Sequence, residues 1–285
     1  MMARRLANAL AVALVLATSC AGHATAAERI TWSVPDFPPF QILDGPAKGT
    51  GSFDGLLSLL IARLPQYEHD IVPMTFARRE AEAKQGTDLC TPGIFRTPAR
   101  ESYMAFSTPA LLHLDNRLVF RAERAPRFVE GDAVDLEKVL QSKDLVGGIA
   151  AGRSYAPNID ALIARYSGHP NVVVRPWKAE QFFQMLLANE VDYIILFPHE
   201  ANFLAQRFDA RDRIGIRAIA GTPPTIATAV SCTRTALGQR IIGDVDTVIA
   251  EAIHQPEYRA LSERWYEDRD KQLIRRYHDQ MLGSR

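Results

Sequence analysis

Apolar and polar residues alternate along Ile30-Thr31-Trp32-Ser33-Val34, a period of two that predicts a strand with one buried face. The loop Pro35-Asp36-Phe37-Pro38-Pro39-Phe40 ends it. The period then changes. Leu56, Leu57, Leu59, Leu60, Ile61 and Leu64 form a broad apolar stripe, which predicts a helix over 55–64 with Asp54 as its N-cap. A second strand is expected over 70–75, a helix over 77–85 ended by Gly86, and a third strand beginning at 89. Further strands are expected over 116–121, 145–149, 172–175, 191–196, 214–220 and 225–231. Helices are expected over 136–140, 159–166, 181–188 and 200–206, and from 237 to the end. Strand followed by helix, repeated, implies an α/β fold with parallel sheets covered on both faces.

The N-terminus reads as a secretion signal. Arg4 and Arg5 precede an apolar run from Leu6 to Thr18 that is too short for a membrane span, and Ala24-Thr25-Ala26 is a small-x-small cleavage site. Residues 1–27 are therefore expected to be removed and the mature chain to be periplasmic. A lipid anchor on Cys20 is the less favoured alternative, because Ala17 stands where such signals place leucine. The 33 basic and 33 acidic side chains balance, and loss of the signal leaves a net charge near −2. That disfavours nucleic acid or an anionic membrane surface as a partner. Cys90 and Cys232 would then be the remaining cysteines, an even pair in an oxidising compartment, so a disulfide between them is expected.

The most informative segment runs from Asp88 through Cys90-Thr91-Pro92-Gly93-Ile94-Phe95-Arg96-Thr97-Pro98-Ala99-Arg100 to Phe106-Ser107-Thr108-Pro109. Thr97 suits an N-cap and Pro98 the first helical position, so Arg100 falls in the first turn. Backbone N–H groups and a guanidinium then converge where an anion such as a carboxylate would be held. Arg96 lies in the same turn and is an equal alternative.

This segment resembles the ligand-binding stretch of periplasmic solute-binding proteins of the polar amino-acid type (bacterial family 3). Pro38-Pro39-Phe40, the run from Gly51 to Leu57, Cys90 and Ser231-Cys232 resemble one branch of that family. The resemblance implies a type II periplasmic-binding fold with two lobes. One would comprise 28–123 and 221–285, the other the inserted 124–220, with crossings near 121–126 and 218–224. It places Arg100 on the ligand's carboxylate and Phe37 as a stacking aromatic, with Phe40 left to the core. In the second lobe it implies that Gly152, Arg153, Ser154 and Tyr155 form a turn meeting the ligand. Arg153 would either add a second positive charge to the cleft or point to solvent. Phe197 occupies the place where relatives that bind α-amino acids keep an acid for the ammonium group, and Glu200 substitutes only if the loop shifts. The ligand set is thus Phe37, Thr91, Arg96, Arg100, Gly152, Arg153, Ser154, Tyr155, Phe197 and Glu200, with no metal or cofactor. The implied activity is capture of a small anionic solute by a monomer for an inner-membrane ABC permease, or else for a membrane sensor. A hydrolase with Ser154 as nucleophile is the remote alternative, because Gly152-Arg153-Ser154-Tyr155-Ala156 imitates a nucleophile elbow but ends in Ala.

Overall fold

The computed structural model describes residues 27–128, 131, 133–151 and 153–283. Residues 1–26 of the expected secretion signal, Cys20 among them, lie outside these residues, as does Gly152. The strands are β1 (Arg29–Val34), β2 (Glu68–Pro73), β3 (Cys90–Ile94), β4 (Met104–Leu114), β5 (Arg117–Arg121), β6 (Ala133–Val134), β7 (Gly147–Ala150), β8 (Val172–Arg175), β9 (Tyr193–Leu196), β10 (Ile214–Ile219) and β11 (Thr225–Thr233). The α-helices are α1 (Ser52–Arg63), α2 (Phe76–Lys84), α3 (Pro98–Glu101), α4 (Leu136–Gln141), α5 (Pro157–Tyr166), α6 (Ala179–Leu187), α7 (Pro198–Arg207), α8 (Ala236–Ala252), α9 (Pro256–Glu263) and α10 (Asp268–Gly283).

Two sheets form, in the orders β2-β1-β3-β11-β4 and β6-β10-β5-β9-β7-β8. β1 pairs parallel with β2 and β3, and β7 pairs parallel with β8 and β9. The strands that carry the chain between the sheets depart from this. β11 lies antiparallel to β3 and β4, and β5 lies antiparallel to β9 and β10. The first passage between sheets falls at Asp115-Asn116, upstream of the expected 121–126, because the strand over 117–121 joins the second sheet. Asp115 donates its N–H to the Pro224 carbonyl (3.2 Å), so the two passages touch. Each sheet has its own core. Trp32, Phe40, Leu56, Leu60, Val230 and Ile249 fill the first. Phe120, Tyr193 and Ile159 mark one face of the second, Phe183, Ile194 and Leu204 the other.

Local chemistry fixes the start of α1 differently from expectation. Gly51 is the N-cap, and Asp54 stands at the third helical position with its carboxylate reaching back. That carboxylate accepts the N–H groups of Gly51 and Ile42 (both 2.9 Å) and the Gln41 side-chain amide. A Cβ at residue 51 would lie 2.2 Å from the Phe40 carbonyl oxygen, so only glycine allows the Pro-Pro-Phe loop to close on the helix. This anchors Phe40 in the first core and sets Phe37 beside it.

Cys90 and Cys232 oppose one another on β3 and β11 (Cα–Cα 4.0 Å) and form a disulfide. Thiol titration of the denatured, unreduced chain should therefore detect at most the Cys20 thiol. Two further reactive thiols would refute the bond.

Candidate functional site

The facing ends of the two sheets bring the expected residues together unequally. Phe37 follows β1 and stacks on Phe40 (centroids 4.7 Å, interplanar angle 5°), with Phe76 edge-on at 5.4 Å. Thr91 does not mark the end of its strand. β3 continues to Ile94, leaving Thr91 fully buried opposite Ser231, its hydroxyl without a partner among the described residues. The residues that emerge from β3 are Phe95 to Arg100.

Thr97 caps α3 as expected, accepting the Arg100 N–H (3.3 Å). Arg96 is exposed and pairs with Glu101 (2.6 Å). Arg100 is half-buried and donates Nη1 to the Phe95 carbonyl (2.9 Å). No carboxylate pairs with Arg100 among the described residues. Of the two arginines in the turn, Arg100 is thus the one with charge to offer, because Glu101 already neutralises Arg96.

The second-lobe turn corrects the reading of Arg153. Its guanidinium faces the cleft but brings no free charge there. Nη1 and Nη2 donate to the two Glu200 carboxylate oxygens (2.8 and 2.7 Å), and Nη2 also reaches Asn116 Oδ1 (3.4 Å). Glu200 is fully buried and additionally accepts the Phe197 N–H (3.3 Å). It is therefore committed to Arg153 and the start of α7, and is not available to a ligand's ammonium group. Phe37, Tyr155 and Phe197 surround the Arg153 guanidinium at 5.5, 4.9 and 5.5 Å. Burial opposes the Arg153 charge, and Glu200 outweighs it, leaving the pKa raised. Ser154 donates its hydroxyl to Asp160 (2.6 Å) and Tyr155 its N–H to the same carboxylate (2.7 Å). The Ser154 proton is thus directed at a helix-terminal carboxylate and not at a histidine, which is not the geometry of a serine nucleophile. Ala156, between this turn and Pro157, holds φ at 128°, a strained value for a residue with a side chain.

Contacts between the two sides are mainly aromatic. Phe197 packs edge-on against Phe40 (5.1 Å) and lies 6.1 Å from Phe95. His113 of β4 stacks on His199 of α7 (5.7 Å, 13°), with Phe40 and Tyr266 each 4.4 Å from the His199 ring. At the rim Lys178 pairs with Asp36 (2.7 Å).

Sequence reasoning missed Arg79, the His113–His199 pair and the Lys178–Asp36 bridge. Arg79 lies on α2, four residues before the buried Ala83 and so on the inward face of that helix. An arginine on the apolar side of an amphipathic helix was a readable signal. The histidines join strand to helix across the molecule and left no local trace.

Residues 30–268 match the family described as "Bacterial extracellular solute-binding proteins, family 3". The search of curated proteins finds no match. Among solved structures, the chain is similar to the periplasmic VFT2 domain of Bordetella pertussis BvgS (TM-score 0.59, 19% identity, 83% of this chain and 93% of that chain). It is also similar to the amino acid ABC transporter substrate-binding protein AbpA from Streptococcus pneumoniae bound to L-arginine (0.63, 19%, 84% and 94%). A histidine kinase sensor domain with similarity to periplasmic binding proteins aligns at TM-score 0.65 (13%, 84% and 95%). At these identities the likeness shows a shared two-lobed fold.

Proposed function

The chain belongs to the bacterial extracellular solute-binding proteins of family 3, and from that premise we propose that it captures a small anionic solute in the periplasm between its two lobes. The observation that carries this reading is Arg100, a half-buried guanidinium beside the end of β3 that has no carboxylate partner among the described residues. A solute carboxylate would accept from Arg100 and displace water from the aromatic walls formed by Phe37, Phe95 and Phe197. Phe197 where an ammonium-binding acid would stand, and Glu200 already paired to Arg153, argue against an α-amino acid. Closure would turn about the passages at 115–116 and 220–224, with Lys178–Asp36 latching the rim. Delivery of the solute by a monomer to an inner-membrane ABC permease is the favoured use, and no catalytic step is assigned to the cleft. AbpA is named as an ABC transporter substrate-binding protein, which supports transport. The likeness to sensor domains favours a second reading, presentation to a membrane sensor. Loss of solute uptake in a deletion strain would support the permease. Normal uptake with a lost transcriptional response would support the sensor.

Native mass spectrometry of the purified protein should reveal a small acid bound to it. Arg100→Ala should lose that molecule while keeping a native circular-dichroism spectrum. Wild-type occupancy in the variant would remove Arg100 from the site and with it this reading.

A further inference from the structure

Among the described residues three arginines are largely withdrawn from water, and two of them have carboxylate partners. Arg121 donates to the carbonyls of Leu186 (2.8 Å) and Val191 (2.7 Å), to Asp192 (3.3 Å) and to Glu123 (3.0 Å). Arg153 is held by both oxygens of Glu200. Arg79 is different. Only 4% of it is exposed, yet among the described residues its guanidinium has neither an ion pair nor a hydrogen bond. Its contact is the face of Phe76, 5.2 Å from the ring centroid. Burying an unpaired cation is among the most unfavourable arrangements a fold can hold, and folds keep one where something else supplies the counter-charge.

The surroundings indicate where that counter-charge would enter. Phe76 meets Phe37 edge-on, and Phe37 lies under Arg153 of the second lobe. Arg100 is tied to the Phe95 carbonyl, and its charge is among the influences that lower the Arg79 pKa. Phe95 in turn faces Phe197 of the second lobe. Each of the two guanidiniums is thus separated from the opposite lobe by a layer of aromatic side chains. Glu80, whose charge acts on both, already accepts from Lys84 (2.7 Å). Burial, and next the Arg100 charge, lower the Arg79 pKa to about 10, an effect that Glu80 and Tyr103 offset only in part, so the group keeps its proton at neutral pH.

We infer that Arg79 and Arg100 together receive a dianionic group, so that the solute is a dianion, a dicarboxylate or a phosphomonoester, and not a monocarboxylate. This rests on the reading of Arg100 as the anion-gripping residue and adds a second cation from α2. Two planar forks match two carboxylates, or the several oxygens of one phosphate, in a way that one fork cannot.

The test is thermal unfolding of the whole protein with succinate, inorganic phosphate or butyrate, each compared with chloride at equal ionic strength. At a hundredfold excess over Kd, a site of this kind should raise the wild-type midpoint by about 5 °C or more. Succinate or phosphate should do so saturably, and butyrate should do much less. The better of the two dianions names the source of the charge. Arg79→Met should erase the advantage of dianion over butyrate while unfolding, without added anion, no earlier than wild type. Arg79→Lys, which keeps the charge and loses the fork, should retain part of that advantage. Equal wild-type responses to all three anions, altered only by Arg100→Gln, would overturn the dianion and leave the Arg100 reading standing. An Arg79→Met protein that unfolds well below wild type and still prefers dianions would make Arg79 a structural cation. The absence of a saturable wild-type response to either dianion would also overturn the inference.

Discussion

Replacing Glu200 by alanine is expected to destabilise the protein by about 3–5 kcal/mol, the usual loss when one partner of a buried ion pair is removed. The pair is well shielded, with the Glu200 side chain 1% and the Arg153 side chain 11% exposed. Without Glu200, Arg153 keeps one long contact to Asn116 (3.4 Å) and its aromatic neighbours. None of these carries a compensating negative charge. The N–H of Phe197 at the start of α7 would lose its acceptor as well. Glu200→Gln preserves the shape and one acceptor, and should lose noticeably less. Arg153→Met combined with Glu200→Leu removes both charges and should recover most of the loss, because the desolvation of the pair disappears with it. Denaturant unfolding of the four proteins measures the coupling. A loss under 1 kcal/mol for Glu200→Ala would mean that water screens the pair.

Mild acid should weaken the protein through the two stacked histidines. His113 and Thr228 share a hydrogen bond (3.1 Å), whereas neither ring nitrogen of the buried His199 has a partner among the described residues. Burial lowers the His113 pKa to about 3, and burial lowers that of His199 well below 6.5, with His113 and Arg153 adding to the shift. Unfolded histidine takes up a proton below about pH 6.5. The folded rings resist it until far lower pH, so the unfolded state binds more protons across that window. The contribution of neutral histidine burial is thus complete above pH 6.5 and is lost as the pH falls below it. Each ring can contribute a slope of about 1.4 kcal/mol per pH unit, so two rings give about 4 kcal/mol between pH 7 and 5. Asp54 and Asp115, whose carboxyl pKa values burial raises, act in the opposite direction at lower pH. His199→Phe keeps a ring against Phe40 and Tyr266 and removes one titration, so its stability should change about half as steeply. Equal slopes for variant and wild type would clear the histidines of this role.

The alternation of periods made the fold readable because it is local. Val172–Arg175 is a strand as expected, and the strands expected from 214 and from 225 begin there. β4 escaped notice because Pro109 interrupts it. Pro109 faces Ala229 where the register with β11 shifts, a place at which a strand tolerates a missing N–H. The cleft was legible only one side at a time. Thr97 and Arg100 lie in a single turn whose capping chemistry is written in consecutive residues. Arg153 and Glu200 are 47 positions apart, and Lys178 and Asp36 are 142 apart. Partners so distant are set by how strand ends assemble, which no window of sequence contains. The charge of Arg153 could be read, but the fact that it is already neutralised could not.

The seat of β11 has a consequence for how the molecule is made. A chain synthesised from its N-terminus delivers β3 and β4 early, but the strand that joins them arrives only at Thr225–Thr233, after every strand of the other sheet. Until then the nascent first half lacks the middle of its ladder and most of the helix that covers it, and so has no reason to become rigid. A polypeptide that stays pliant until it is almost finished is suited to threading through a narrow translocation pore. The Cys90 thiol must likewise wait for a partner 142 residues behind it, so its oxidation would mark completion and not initiation.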